Sequence, residues 1–269
     1  MDTPFIVDHD YHIHTYLSDC SSDPEQNTGR ILRYAKENGY RSVCITDHFW
    51  DEKAGTPSDW YKPQNFEHIS KSLPLPEDDE VRMLFGCEAD LRADLTLGIT
   101  EECMDKMDMF LISTTHLHMT GFTISEEDSE SAKRRAELWV ERLDRVLSMD
   151  LPFRKIGLAH LTSDLIGTSE ESARDILRVI PDSTIHELLG RAAKAGIGIE
   201  LNNGSLRFPD DEAEEELRVF RIAKECGCKF YFGSDAHHPK TFEVAKSRFE
   251  RAVKLLGLKE SDKFVPKSC

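Results

Sequence analysis

Asp10-Tyr11-His12-Ile13-His14 sets two imidazoles two positions apart, just after the apolar run Phe5-Ile6-Val7 that reads as a first strand. On an extended backbone alternate side chains share a face, so Asp10, His12 and His14 are expected to point the same way. Two neutral imidazoles on one face can grip a divalent ion, and nitrogen ligands of this kind suit zinc, manganese or iron. Asp10 would hold a ring N–H from behind, and Asp19 in the next loop would add a hard oxygen. An isolated His-x-His is as often a strand end without a ligand role. Here more candidate ligands stand at the ends of later apolar runs.

The elements that must position them follow in order. Helical spacing of Ile31, Leu32 and Ala35 begins after Ser21-Ser22-Asp23-Pro24 and stops at Asn38-Gly39. Strands are expected at 41–46, 81–87, 109–115, 154–159, 198–202 and 229–234. Helices are expected at 100–106, 129–149, 170–179, after Pro181, at 212–225 and around Phe242 to Leu256. The long connection 49–80 carries Trp50, Trp60 and Tyr61, with room for one short helix at Phe66 and Ile69, and reads as an ordered lid. Strand and helix alternate about seven times without a linker. That pattern predicts one α/β domain over residues 1–269, a parallel sheet closed into a barrel.

His12, His14, His48, Glu88, His116, His160, Asp235 and His237 all fall at strand C-termini, and Asp19 lies in the first loop. In a parallel barrel these positions meet on one rim, where such enzymes keep their chemistry. Six of the 11 histidines land there, which chance explains poorly. His9, His68 and His186 look ordinary, while His118 and His238 adjoin the rim. The set is too large for one ion and calls for two or three, with a glutamate as the natural bridge. Cysteine is absent from it.

Composition narrows the partners. With 50 acidic against 34 basic residues the net charge is −16, which would repel a nucleic-acid backbone. No apolar run reaches membrane-span length, and Met1-Asp2-Thr3-Pro4 lacks the start of a signal peptide. The seven cysteines (Cys20, Cys44, Cys87, Cys103, Cys226, Cys228, Cys269) are odd in number and scattered. They suit a reducing, cytoplasmic setting better than a disulfide framework.

Taken in order, Asp10-x-His12-x-His14 with Asp19, Thr46-Asp47-His48, Gly86-Cys87-Glu88, Ser113-x-x-His116, Ala159-His160 and Ser234-Asp235-x-His237 resemble the PHP family, named for polymerase and histidinol phosphatase. The resemblance runs over almost the whole chain. It implies a distorted (β/α)7 TIM-like barrel of parallel strands with a trinuclear metal centre at the C-terminal rim. The three divalent ions would be zinc, manganese, iron or a mixture. His12, His14, Glu88 and Asp235 would hold one ion, Asp19 and His48 a second, and His116 and His160 a third. His237 would complete the set, Glu88 would bridge, and Asp10 and Asp47 would support the ligands from behind.

Glu200-Leu201-Asn202-Asn203-Gly204-Ser205-Leu206-Arg207 resembles the Glu-Ile-Asn…Leu-Arg segment of the histidinol-phosphatase-like branch, which puts Arg207 near the phosphate. The chain departs from that branch at Gly204-Ser205, which stands in reversed order, and at Leu165-Ile166-Gly167, where a basic residue is often found. The expected activity is hydrolysis of a small phosphorylated metabolite by metal-activated hydroxide. Arg207 would brace the phosphoryl oxygens, and Asp235, His237 or a metal-bound water would protonate the leaving oxygen. Trp60, His118 and His238 are further candidates for substrate contact. The competing readings are a nuclease or phosphodiesterase of the same family, disfavoured by the charge, and a non-catalytic metal-binding barrel.

Overall fold

A computed structural model describes residues 3–267; Met1, Asp2, Ser268 and Cys269 lie outside the described residues. The parallel strands are β1 (His9–Ile13), β2 (Ser42–Ile45), β3 (His48–Phe49), β4 (Arg82–Asp90), β5 (Met109–Ser113), β6 (Ile156–Ala159), β7 (Gly198–Asn202) and β8 (Lys229–Gly233). They pair in the order β1-β2-β4-β5-β6-β7-β8, and β3 resumes the line of β2 by pairing His48 with Glu88 on β4. β1 and β8 meet at a seam. There the Asp235 N–H donates to His12 O (2.7 Å), the His14 N–H donates to Ala236 O (3.2 Å), and Ile13 bridges Ala236 in parallel. The result is a nearly closed seven-position barrel.

The connections carry α1 (Thr28–Glu37), α2 (Phe66–Ile69), α3 (Glu101–Met104), α4 (Ala132–Leu147), α5 (Ala173–Arg178), α6 (Asp182–Ala195), α7 (Ala213–Glu216), α8 (Arg218–Glu225) and α9 (Phe242–Leu256). Their apolar stripes pack on the outer faces of the strands, as at Trp139, Leu143 and Val146 on α4. Inside the barrel, Tyr11, Leu84, Leu111, Tyr231 and Phe264 fill the space below the rim. Among the described residues no helix is long and apolar enough to cross a membrane. The six described cysteines are free.

Two expectations are corrected. Phe5-Ile6-Val7 precedes the first strand: Phe5 packs edge-on against Phe232 at 5.2 Å while Ile6 is exposed. The strand itself is the more polar segment His9–Ile13, buried throughout, because the fold satisfies its polar groups internally. The helix expected over 212–225 is broken at Leu217 into α7 and α8.

Candidate metal centre

β1 carries a bulge. Asp10 pairs with Val43 and Ile13 with Ile45, three steps against two. The bulge breaks strict alternation and re-aims the side chains. Asp10 turns outward to α1, accepting from Tyr34 OH (3.0 Å), and clamps the seam by accepting from the Ser234 N–H (2.9 Å) and the His12 N–H (3.3 Å). It therefore shares no face with the two histidines and holds no ring N–H. His12 and His14 face the mouth of the barrel, where their Nε2 atoms stand 3.0 Å apart.

Glu88, at 1% exposure, is the centre of the arrangement. Its Oε2 lies 3.3 Å from His12 Nε2, 3.5 Å from His14 Nε2 and 3.2 Å from His48 Nδ1. Its Oε1 lies 2.8 Å from His160 Nε2 and 3.6 Å from His116 Nε2. Asp235 Oδ1 sits 3.5 Å from His12 Nε2 and 3.3 Å from His14 Nε2. A tetrahedral ion with bonds of about 2.0–2.1 Å keeps its ligand atoms about 3.3 Å apart. The separations of His12 and His14 from each other and from Asp235 and Glu88 are of that size, so these residues fit a bound divalent ion. Three groups have ligand atoms within 4.8 Å of one another: His14 with His48 and His237, His12 with Glu88 and His160, and His12 with His14 and Asp235.

Four of the imidazoles are oriented from behind. His12 Nδ1 meets Glu200 Oε1 at 2.8 Å, and Glu200 Oε2 accepts from the His160 N–H. His14 Nδ1 meets Ser18 Oγ at 2.9 Å, and that hydroxyl donates to Asp47 (2.7 Å), whose carboxylate also takes the Thr15 N–H and hydroxyl. His116 Nδ1 meets Asp90 Oδ2 at 2.8 Å, and Tyr61 OH donates to the same oxygen. His160 Nδ1 meets Thr115 Oγ1 at 2.8 Å. Such partners fix the tautomer and leave the other nitrogen free for an ion.

The charges respond accordingly. Burial works against a charged His12, but Glu200, Asp235 and Glu88 outweigh it and hold its imidazole well above the ordinary value. Burial, with His237 and His48 adding to it, holds His14 well below. Burial likewise takes His48 down to about 4, whereas Asp90 and Glu88 overcome it at His116 and raise that group to about 9. Glu88 is pulled well below the carboxylate range, against burial, by His12, His48 and His116. A site with this many coupled imidazoles and buried carboxylates is made for cations.

The structure thus brings eight of the nine candidate ligands together and leaves Asp19 apart. Asp19 is exposed, and its backbone N–H donates to Gln64 Oε1 (3.0 Å). The mouth is a cavity of about 400 Å³ whose walls include Trp60, His118, Met119 and Leu165. Trp60 stands edge-on to His48 at 5.0 Å. His238 is corrected: its ring caps the following turn, accepting from the Lys240 N–H (3.1 Å), and meets Asp23 at 2.9 Å. Arg207 is exposed between the buried Leu206 and Phe208 and does not line the mouth. The acidic helix start beyond it is no partner either, since Asp210 pairs with Arg251 (2.6 Å).

Sequence reasoning missed Glu200 as a support, Ser18, Asp90 and Thr115, and one face of α4. On that face Arg135, Trp139 and Arg142 recur at helical spacing and donate to main-chain carbonyls of the rim. Arg142, buried and without a carboxylate on its guanidinium, bonds Thr114 O (2.7 Å), Leu91 O (2.8 Å), Thr123 O (3.0 Å) and Arg92 O (3.3 Å). Trp139 Nε1 bonds Leu161 O (2.9 Å), the residue after His160. The usable signal was a charge among apolar neighbours at Glu200, which stands between Ile199 and Leu201.

No protein-family model and no curated protein sequence matches the chain. Solved structures do. Histidinol phosphate phosphatase from Lactococcus lactis subsp. lactis Il1403, complexed with zinc, L-histidinol and phosphate, matches with a TM-score of 0.63 at 16% identity, over 96% of this chain and 99% of that one. This chain shares its fold. A histidinol phosphatase candidate from Listeria monocytogenes matches with a TM-score of 0.58 at 16% identity, over 90% of this chain and 99% of that one.

Proposed function

We propose that this protein is a metal-dependent phosphoesterase that hydrolyses a small phosphate monoester, in the manner of histidinol phosphatases and the wider PHP family. The observation that carries the reading is the Glu88 carboxylate, with one oxygen toward His160 and His116 and the other toward His12, His14 and His48. That division suits a bridge between ions. The Lactococcus relative in fold, which holds zinc and phosphate, supports it. Three divalent ions are proposed, of zinc, manganese, iron or a mixture. Bound ions of this class acidify a water and neutralise charge on a phosphoryl group.

The chain's own residues do the rest. His12, His14, His48, His116 and His160 are buried and converge on Glu88, so they hold and orient. Asp235 and His237 are part-exposed on the open side, at 28% and 31%, where a substrate oxygen would enter. The His237 Nδ1–H donates to Asp235 O (2.9 Å), which leaves Nε2 either to hold an ion or, where it holds none, to exchange a proton with the leaving oxygen. The free cysteines fit a cytoplasmic setting.

The test is hydrolysis of p-nitrophenyl phosphate and of its bis-ester, before and after a chelator, with zinc, manganese or iron returned one at a time. We expect monoester turnover that is lost with the chelator and restored by metal, and little on the bis-ester. Glu88→Gln should lose both turnover and more than one equivalent of metal. Turnover indifferent to the chelator, or a bis-ester preferred over the monoester, would reject the reading.

A further inference from the structure

The mouth has a second wall that takes no part in holding ions. Trp60 comes from the β3–β4 connection, Met119 from β5–α4 and Leu165 from β6–α5, and the three line one cavity with Glu88 and Asp235. Each is held from behind. Trp60 O accepts from the buried Gln64 Nε2 (3.0 Å), and Met119 O accepts from the Thr123 N–H (2.9 Å). Leu165 O accepts from Arg135 Nη1 (3.3 Å), which also takes the carbonyl of Ile166 (3.1 Å). An apolar wall fixed by three separate anchors is preorganised, and it rewards a partner that buries apolar or aromatic area.

The charge on the same surface runs the other way. Among the described residues lining the mouth the carboxylates are Glu88 and Asp235, and both turn into the imidazole cluster. An ammonium on a substrate would enter beside divalent ions and lose its hydration without a counter-ion.

We propose that the alcohol released at this site is uncharged and aromatic or bulky and apolar, so that aryl and arylalkyl phosphates are preferred over phosphates of amino alcohols. The proposal rests on the monoesterase reading and names its substrate class. Histidinol phosphate, which carries an amine, falls in the disfavoured group.

The experiment compares kcat/KM of the zinc-loaded protein for 2-phenylethyl phosphate, phosphoethanolamine and histidinol phosphate. The ammonium of phosphoethanolamine makes its alkoxide the better leaving group, so intrinsic reactivity opposes the expected order. We expect the phenylethyl ester to lead by at least about tenfold, the effect of roughly 1.4 kcal/mol of differential binding. Leu165→Glu and Met119→Glu should shrink or invert that ratio, mainly through KM. Equal or better turnover of the amine esters by the unaltered protein overturns the proposal.

Binding of benzylphosphonate against 2-aminoethylphosphonate, measured by calorimetry on the same zinc-loaded protein, separates this inference from the activity itself. Tighter benzylphosphonate with no ester hydrolysed rejects the hydrolase reading and keeps the wall. Equal or weaker benzylphosphonate rejects the wall.

Discussion

Gly233 on β8 leaves the space that the Glu200 carboxylate occupies: a Cβ at Gly233 would fall on Glu200 Oε1 and lie 2.6 Å from His12 Cβ. The glycine is therefore what lets Glu200 reach His12 Nδ1. Gly233→Ala should displace that carboxylate and weaken zinc binding by about tenfold or more, the usual effect of losing an outer partner of a metal-bound histidine. Competition with a zinc-binding dye reads the change. Glu200→Gln, which keeps the shape and drops the charge, should act in the same direction. Unaltered zinc affinity in both variants would remove Glu200 from the support of His12.

Arg142 makes all of its hydrogen bonds to carbonyls, those of Leu91 and Arg92 just after β4 and those of Thr114 and Thr123 in the connection after β5. Burial lowers its guanidinium to about 10, so it stays charged at neutral pH. Arg142→Met would strand several buried acceptors at once and should cost about 3 kcal/mol or more. Urea unfolding measures that loss. If Arg142 positions the rim as well as stabilising it, Arg142→Lys should recover part of the stability yet bind fewer ions than the unaltered protein. Full stoichiometry in a destabilised Arg142→Lys would restrict it to the fold.

Asp8 ties the approach to β1 to the chain's far end, through Lys263 Nζ (2.9 Å) and His9 Nδ1 (3.2 Å). Burial would raise its carboxyl, but those partners overcome it and bring the group from 3.8 to about 2. A carboxyl more acidic folded than unfolded adds stability above its unfolded value and loses it as pH falls through the folded one. Asp8→Asn should thus be less stable at pH 7, by on the order of 1 kcal/mol once solvent screening of this part-buried group is allowed for. The gap should close between pH 4 and pH 2. Melting curves of both proteins across that range check it, and a gap independent of pH would assign the effect to packing.

The strand ends were legible because the candidate ligands follow apolar runs, and a parallel barrel brings such ends to one rim. That logic located His48, Glu88, His116, His160, Asp235 and His237 without any tertiary knowledge. It failed at Asp10, because a bulge inserts a residue without marking the sequence and ends the period of two. Arg207 stands exposed between the buried Leu206 and Phe208. Arg135 and Arg142 were not singled out, since main-chain carbonyls, their actual partners, carry no signature in side-chain identity. Asp19 was placed by proximity along the chain, and the loop carried it outward.

His160 and Asp235 have backbone φ values of 33° and 52°, in the left-handed region that residues with a Cβ rarely adopt. Conformations of this kind cost on the order of 1–3 kcal/mol each. A chain shaped for durability alone would carry glycine at both corners. The metal-free protein should accordingly tolerate His160→Gly better than His160→Ala, reversing the usual ranking of those two residues, and paired melting temperatures would show it. The strands thus end under tension at two of the side chains proposed to grip ions, so ion capture and resistance to unfolding draw on the same two corners. Loss of the ions should therefore loosen this rim before it loosens the opposite end of the barrel.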